Sequence, residues 1–196
     1  MIEFLVAVLF LLITPGPGVL TTAGIGAAYG FRAGLGFIWG LMLGGFINMM
    51  IIISGLAALV LAIPSLRAVL LIASLCYLLY LAWRIASAGA KIGFAPANTP
   101  LGFKNGLMLQ FINPKAYVVG TTLFSGFVFL PDNPVLEIVL KLVFFNLIWM
   151  PVHLVWLAFG AKIGSLNLSH RRQRAINVAM AFALIVVVCI ALWTSL

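Results

Sequence analysis

The chain has 196 residues, of which 65% are hydrophobic and only 7% are charged, and its formal net charge is +8. Soluble domains carry about 25% charged residues, and a water-soluble fold of this length could not cover so much apolar surface. The composition therefore excludes a water-soluble protein. It also argues against a nucleic-acid partner, because the scattered basic residues are better interpreted as signals of membrane orientation.

Long stretches without charged residues predict the membrane-spanning elements. About 20 apolar residues cross the hydrocarbon core of a bilayer as an α-helix, whereas a spanning β-barrel needs short alternating segments. We therefore predict an all-α integral membrane protein that forms a single transmembrane domain over residues 1–196, with the lipid bilayer as its surroundings. Six helices are predicted, at residues 2–25, 34–62, 66–88, 105–130, 138–162 and 175–195.

Basic residues are concentrated in the loops that follow the first, third and fifth predicted helices, and the other side carries all three acidic residues. Because loops rich in Lys and Arg stay in the cytoplasm, this asymmetry predicts that both termini lie outside the cytoplasm. The first set is Arg32, Arg84, Lys91, Lys104, Lys162, Arg171, Arg172 and Arg174, and the second is Glu3, Arg67, Asp132, Glu137 and Lys141.

The first predicted helix contains the cluster Pro15, Gly16, Pro17 and Gly18. Proline lacks an amide hydrogen and clashes with the preceding helical turn, so the cluster predicts an unwound segment near mid-span. Unpaired backbone survives at that depth only if it is buried in protein or lines a wet cavity. The half-helix that starts there would direct partial positive charge inward and can hold a carboxylate. The alternative is an ordinary proline kink without a functional role.

The second predicted helix carries Gly36, Gly40 and Gly44 at intervals of four residues, and Asn48 continues the same stripe. Small residues at this spacing let helix backbones approach closely in membranes. The three glycines therefore predict helix packing. Asn48 is predicted to face a substrate or ion pathway.

A polar connection near residues 89–104 divides the chain into two sets of three helices, about 1–90 and about 101–196. Related halves with an odd number of crossings must point in opposite directions, as in many secondary transporters. Two features recur about half a chain apart: Pro15 with Pro114, and Asn48 with Asn146. We therefore predict two inverted three-helix repeats, with helices 1 and 4 broken near the midplane.

The fourth predicted helix is interrupted by Asn113 and Pro114, and Lys115 follows directly. Lys115 lies too far from both ends of its span to reach the interface easily. A charge at mid-helix costs on the order of 3 kcal/mol on insertion scales and indicates a functional site. The three residues are therefore predicted to lie in the substrate or ion pathway. The alternative is a lysine that only bonds carbonyls freed by the break.

The fifth predicted helix places Asn146, Trp149 and His153 on one face. We predict that this face lines the same pathway, where His153 could relay protons. The alternative is an inter-helix hydrogen bond, which contributes only about 0.6 kcal/mol on average in membranes.

Several patterns are missing from the sequence. It has no Walker-type Gly-Lys-Ser/Thr loop and no His/Glu metal motif, so no cofactor, no metal site and no enzymatic activity are predicted. Cys76 and Cys189 lie in apolar stretches, where cysteine packs as a small hydrophobic residue. A membrane thiol-redox carrier that uses these cysteines is one alternative.

Three segments together resemble the LysE/RhtB amino-acid exporter family. They are TPGPGVLTTAGIGAAYGFRAGLGFIWGLMLGG near the start, YLLYLAWR at 77–84 and GLMLQFINPKA at 106–116. The resemblance covers nearly the whole chain, and it departs from the family pattern at Gly45, where relatives carry an Asp or a His. It implies export of amino acids or related metabolites across a bacterial inner membrane, driven by a proton or ion gradient.

These observations predict a secondary transporter that exports small zwitterionic metabolites. Because no acidic residue lies near the midplane, a neutral amino acid is favoured as the substrate. Lys115 or His153 would carry the coupling protons. A gated channel or an accessory membrane subunit is the second alternative, and the sequence leaves open whether the protein forms a homo-oligomer.

Overall fold

The structure of the chain is a computed structural model. It describes residues 1–14, 16–55, 100–166 and 168–193, together with single positions between 63 and 86. Every regular element within these ranges is an α-helix. The helices are α1 (Ile2–Ile13), α2 (Pro17–Tyr29), α3 (Phe31–Ile53), α4 (Phe103–Ile112), α5 (Pro114–Gly126), α6 (Pro134–Ser165) and α7 (His170–Trp193).

The first predicted helix corresponds to two helices, α1 and α2, which meet at an angle of 51°. The helix predicted at 105–130 likewise corresponds to α4 and α5, with Asn113 between them. The helix predicted at 138–162 falls inside the longer α6, and α7 begins at His170, before the predicted start at residue 175. Both interruptions therefore occur at prolines, as the loss of the amide hydrogen requires.

The second predicted helix, 34–62, differs from the structure at both ends. α3 already begins at Phe31, directly after Gly30, and it ends at Ile53 because Ser54 and Gly55 turn away from the helix. Gly30 and Gly55 have φ angles of +85° and +75°, which residues with a side chain rarely adopt. Residues 56–62, most of the helix predicted at 66–88 and residues 89–99 of the 89–104 connection lie outside the described residues.

Among the described residues, α3 and α6 are each long and apolar enough to cross a membrane, and α1 with α2 would form a third span if the bent pair crosses as one. The arrangement of six spans as two inverted repeats stays a prediction.

Helices α2 and α6 touch along a line of small residues. A methyl group added at Gly160 would lie 2.0 Å from the carbonyl oxygen of Ala23, and one added at Gly164 would lie 2.2 Å from that of Ala27. Gly26 makes the equivalent approach to the carbonyl oxygen of Leu157, at 2.3 Å. The two backbones are in direct contact, which only glycine allows at these positions.

Helices α3 and α4 approach each other in the same way. A methyl group at Gly40 would lie 1.9 Å from the carbonyl oxygen of Phe103, and one at Gly44 would lie 2.7 Å from the Cβ of Gln110. Gly36 is less crowded, since its nearest neighbour would be 3.8 Å away. Two of the three glycines predicted to pack helices therefore lie at close backbone contacts, and Gly36 lies at ordinary contact distance.

The first turns of α6 carry a buried ion pair, although the charge pattern of the sequence assigns both residues to the membrane surface. Lys141 Nζ lies 2.8 Å from Glu137 Oε1, and Lys141 is only 2% exposed. The other carboxylate oxygen accepts the backbone N–H groups of Phe129 and Leu130. Lys141 also donates to the carbonyl oxygen of Phe124, at 3.1 Å. The pair thus holds the connection between α5 and α6 against the start of α6.

The same connection packs on the first helix. The ring of Phe4, which is fully buried, lies 6.0 Å from the ring of Phe127 and 5.9 Å from that of Phe129. Aromatic rings prefer such edge-on and tilted contacts. The ion pair and the aromatic cluster therefore both hold the α5–α6 connection, the first against α6 and the second against α1.

We expect Lys141→Met to lower the thermal midpoint of the purified protein, because it leaves the Glu137 carboxylate buried without its cation. The midpoint of the double variant Lys141→Met/Glu137→Gln should fall by less than the sum of the decreases in Lys141→Met and Glu137→Gln, since neither charge is then left buried alone. Differential scanning fluorimetry in detergent measures the midpoints of the three variants. Strictly additive losses would show that the two side chains do not interact.

Candidate functional site

The break between α1 and α2 leaves backbone carbonyls without their helical donors, and that of Thr14 is one of them. Thr14 donates to the carbonyl oxygen of Phe10 through its N–H, at 3.2 Å, and through its hydroxyl, at 2.7 Å. In a continuous helix the carbonyl of Thr14 would accept from the N–H of Gly18, but the chain is extended at Gly16, with φ −154° and ψ 178°. The Thr14 carbonyl therefore needs a partner from elsewhere. Pro15 itself lies outside the described residues.

The break between α4 and α5 frees carbonyls in the same manner. Pro114 has no N–H to give to the carbonyl of Gln110, and the Nδ2 of Asn48 donates to that carbonyl oxygen instead, at 2.9 Å. The hydroxyl of Tyr117 donates to the carbonyl oxygen of Phe111, at 2.8 Å. Side chains from α3 and α5 thus replace hydrogen bonds that the break removes.

Asn113 caps the new N-terminus of α5. Its Oδ1 accepts the backbone N–H of Lys115, at 3.2 Å, and Pro114 occupies the first helical position. Asparagine at the cap and proline at the first position both favour the start of a helix. The motif Asn-Pro-Lys therefore fixes where α5 begins and places the lysine in its first turn.

Lys115 joins the two breaks. Its Nζ donates to the carbonyl oxygen of Thr14, one of the groups that the first break leaves free. Gly16 makes room for the lysine, because a methyl group there would lie 2.7 Å from Lys115 Cδ. The contact agrees with the alternative that Lys115 bonds a freed carbonyl, and it also places the ammonium group where both broken helices meet.

A cavity of about 50 Å³ lies at this junction, between α1, α2, α3, α4, α5 and α6. One water molecule needs roughly 10–15 Å³ on this measure, so the cavity has room for a few waters or for a small solute. Seven residues predicted from the sequence line it: Gly16, Pro17, Gly18, Asn113, Lys115, Trp149 and His153.

The electrostatic character of the cavity is positive. The N-terminal ends of α2 and α5 both open into it, at Gly16 and Asn113, and Lys115 adds a full charge. No side chain among the described residues caps the N-terminus of α2. Helix N-termini present free N–H donors and partial positive charge, and no Asp or Glu is among the lining residues. The arrangement suits an anion such as a carboxylate.

Trp149 and His153 form the wall contributed by α6. Their rings are stacked, with centroids 3.7 Å apart and planes inclined by 20°. His153 Nδ1 lies 3.0 Å from the carbonyl oxygen of Trp149, and a carbonyl can only accept, so Nδ1 carries the hydrogen. The other nitrogen, Nε2, faces α2, at 3.5 Å from where a Gly18 methyl group would lie. In neutral His153 this nitrogen is free to accept a proton.

Four of the residues predicted for the pathway are not among those that line the cavity, and one of them, Pro15, lies outside the described residues. Asn48 is fully buried beside it and holds the Gln110 carbonyl rather than facing the open space. Asn146 donates to the carbonyl oxygen of Leu142 in its own helix, at 2.8 Å, and is not brought to the cavity. The backbone of Pro114 forms the second break, and its side chain is not described.

Sequence reasoning missed half of the cavity wall. Most of these residues are apolar and carry no signal that separates them from lipid-facing neighbours, but Gln110 is a polar residue in an apolar helix, one turn before Pro114, and could have been identified. The missed residues are Leu12, Val19, Met49, Gln110, Ala116, Val119 and Phe145.

Metal and thiol chemistry find no support in the described parts of the chain. They contain no group of three or more His, Cys, Asp or Glu that could hold a metal ion. Cys76 is a free and exposed cysteine, and the side chain of Cys189 lies outside what is described. The thiol-redox alternative therefore stays a matter for experiment.

The chain matches a family model described as LysE type translocator over residues 9–195. A cysteine/O-acetylserine efflux protein of Salmonella choleraesuis is 34% identical over 126 residues, which cover 64% of this chain and 63% of that protein. Proteins of the same name from Escherichia coli O139:H28 and strain K12 are 30% and 29% identical over 174 residues, covering 88% of this chain and 87% of each relative. The match thus spans 63% of the Salmonella relative's length. No solved structure matches.

Proposed function

We propose that this chain, which belongs to the LysE type translocator family, exports small neutral amino acids through the cavity where its two broken helices meet. One observation carries the proposal: Lys115 of the second break bonds the Thr14 carbonyl freed by the first. Within a membrane, freed backbone groups and an ammonium group occur together only where they are buried in protein or line a polar pathway.

The substrate replaces the hydrogen bond between Lys115 and Thr14 with bonds from each of these groups to its own charged groups. Its α-carboxylate takes the Lys115 ammonium and the free N–H groups in the first turn of α2. The carbonyl oxygen of Thr14 is then released and accepts the α-ammonium group of the substrate. A zwitterion therefore fits between the two breaks with both of its charges matched, and the Lys115–Thr14 contact forms again when the site is empty.

The cavity selects against charged side chains. No acidic residue lines it, so a cationic side chain finds no counter-charge, and a second carboxylate would compete for the single ammonium of Lys115. Its volume favours a small side chain. Cysteine and O-acetylserine, which the names of the relatives give as their substrates, are neutral amino acids of this kind.

Coupling to a proton gradient runs through His153. Its Nε2 faces the first turn of α2, close to where the substrate carboxylate lies. A proton taken up there adds positive charge beside the carboxylate and returns when the site opens to the other side of the membrane. The two halves expose the site alternately by rocking against each other as inverted repeats. The protein resides in a bacterial inner membrane, with both termini outside the cytoplasm.

Counterflow in proteoliposomes tests the proposal. Vesicles with the purified protein are loaded with unlabelled serine, and the entry of external labelled serine, cysteine or lysine is followed. We expect saturable entry of serine and cysteine that requires the internal amino acid, with little entry of lysine. Unsaturable entry independent of internal amino acid would indicate a channel, and no entry of any amino acid would reject the proposed function.

The thiol-redox alternative has its own test in the same vesicles. The variant Cys76→Ser/Cys189→Ser is expected to keep wild-type counterflow, because neither residue takes part in the proposed exchange of partners. Loss of transport together with a thiol-dependent electron transfer in the wild type would favour the redox carrier.

A further inference from the structure

The side chain of Gln110 is a buried amide that makes no hydrogen bond to the described parts of the chain. Gln110 is 6% exposed and lines the cavity, and the bond that it receives from Asn48 goes to its backbone carbonyl. An amide side chain offers one acceptor and two donors. Buried polar groups in proteins are nearly always hydrogen-bonded, so a molecule in the cavity is the natural partner for this one.

The position of this amide is tightly fixed. Asn48 Nδ2 holds the Gln110 carbonyl at 2.9 Å, and this hydrogen bond secures the end of α4 that Pro114 would otherwise loosen. On the other side the stem of Gln110 lies against the bare backbone of α3. A methyl group at Gly44 would lie 2.7 Å from Gln110 Cβ, and one at Gly45 would lie 3.2 Å from Nε2. The two glycines leave a slot that the Gln110 side chain occupies.

The other lining residues make one part of the cavity positively charged and another part apolar. Lys115 and the start of α2 offer positive charge, whereas Leu12, Met49 and Phe145 are apolar. Gln110 is the only neutral amide among the lining residues besides Asn113, whose Oδ1 is already engaged by the N–H of Lys115. A bound molecule whose carboxylate lies at Lys115 therefore meets Gln110 with another of its groups.

We propose that Gln110 determines the side-chain specificity of the transporter, by hydrogen bonding to substrates whose short side chain ends in a hydroxyl, thiol or ester carbonyl. Asn48 is the positioning residue that holds Gln110 in place. The amide can donate to an ester carbonyl and accept from a hydroxyl, which explains how one residue serves uncharged side chains of both kinds. The inference rests on the proposed function, because it names the substrate class of the same cavity.

The test compares two substrates that differ by one hydroxyl group, serine and alanine. Counterflow of each is measured for the wild type, for Gln110→Met and for Met108→Leu. Methionine matches glutamine in length but has no amide, and Met108 is an exposed neighbour in α4 outside the cavity, so Met108→Leu is the matched control. A second variant, Gln110→Glu, keeps the shape and adds a charge.

We expect Gln110→Met to lower the ratio of serine to alanine transport about tenfold, because a site built to bond a polar group discriminates through that bond. Met108→Leu should leave the ratio at the wild-type value, and Gln110→Glu should raise lysine transport relative to alanine. Two results would overturn the specificity role while leaving the transporter in place. One is an unchanged ratio of serine to alanine transport in Gln110→Met, and the other is an equal loss of serine and alanine transport in both Gln110 variants. Failure of the wild type to transport any amino acid would instead reject the proposed function, and this inference with it.

Discussion

Replacement of Lys115 by methionine is expected to lower amino-acid transport by about tenfold to a hundredfold, because hydrogen bonds to charged groups contribute roughly 1.5–3 kcal/mol and each 1.4 kcal/mol is tenfold in an equilibrium. Methionine retains the length of the side chain and its apolar stem. It removes the ammonium group that bonds the Thr14 carbonyl and, in the proposed cycle, the substrate carboxylate.

The matched control is Lys104→Met, since Lys104 is an exposed lysine in the first turn of α4. Both variants are compared with the wild type in the serine counterflow assay, at equal amounts of reconstituted protein. Lys115→Ala serves as a second variant and should behave like Lys115→Met. Wild-type rates in both Lys115 variants would remove the lysine from the mechanism.

Gly160→Ala is the second substitution with a large expected effect. The added methyl group would lie 2.0 Å from the carbonyl oxygen of Ala23, and backbone on both sides must move to accept it. Overpacking of this kind typically costs about 1–3 kcal/mol, and occasionally more. We expect less folded protein in the membrane and a lower thermal midpoint for what remains.

Gly126→Ala is the control for this substitution, because Gly126 ends α5 and has nothing within 4 Å of the position of an added methyl group. Size-exclusion chromatography of detergent extracts gives the amount of folded protein, and fluorimetry gives the midpoint. Equal behaviour of the two variants would mean that α2 and α6 do not pack as closely as described.

The breaks could be predicted from the sequence because proline acts locally. Pro17 and Pro114 each remove a hydrogen bond wherever they stand in a helix, so the interruptions follow from residue identity alone. The same holds for Lys115, because a charged residue deep in an apolar segment indicates a polar environment by its type and position.

Contacts between distant segments could not be predicted in this way. The bond from Lys115 to Thr14 joins residues on two different broken helices, and no periodicity specifies it. In the sequence, Glu137 and Lys141 look like surface charges. Their burial could not be predicted, because it depends on how Phe129 and Leu130 fold back over the first turn of α6.

The predicted face of α6 shows most clearly what a sequence pattern does not determine. Asn146, Trp149 and His153 share a helical face within the tolerance of a sequence pattern, but only Trp149 and His153 line the cavity. Phe145 takes the third lining position on this helix, and Asn146 next to it donates to the carbonyl oxygen of Leu142 in its own helix. Which of these neighbours lines the cavity depends on how α6 packs against α2, where Gly160 and Gly164 meet the backbone of Ala23 and Ala27.

Protection of a cavity cysteine by substrate tests most directly whether the two breaks form the amino-acid site. Ala116 lines the cavity one residue after Lys115, and Ala116→Cys in the Cys76→Ser/Cys189→Ser background provides one thiol there. Ser54→Cys, at the exposed end of α3, is the control. We expect saturating serine to slow the alkylation of Ala116→Cys but not of Ser54→Cys, and we expect Lys115→Met to abolish that protection. Alkylation of Ala116→Cys at the same rate with and without serine, or protection that survives Lys115→Met, would contradict the account.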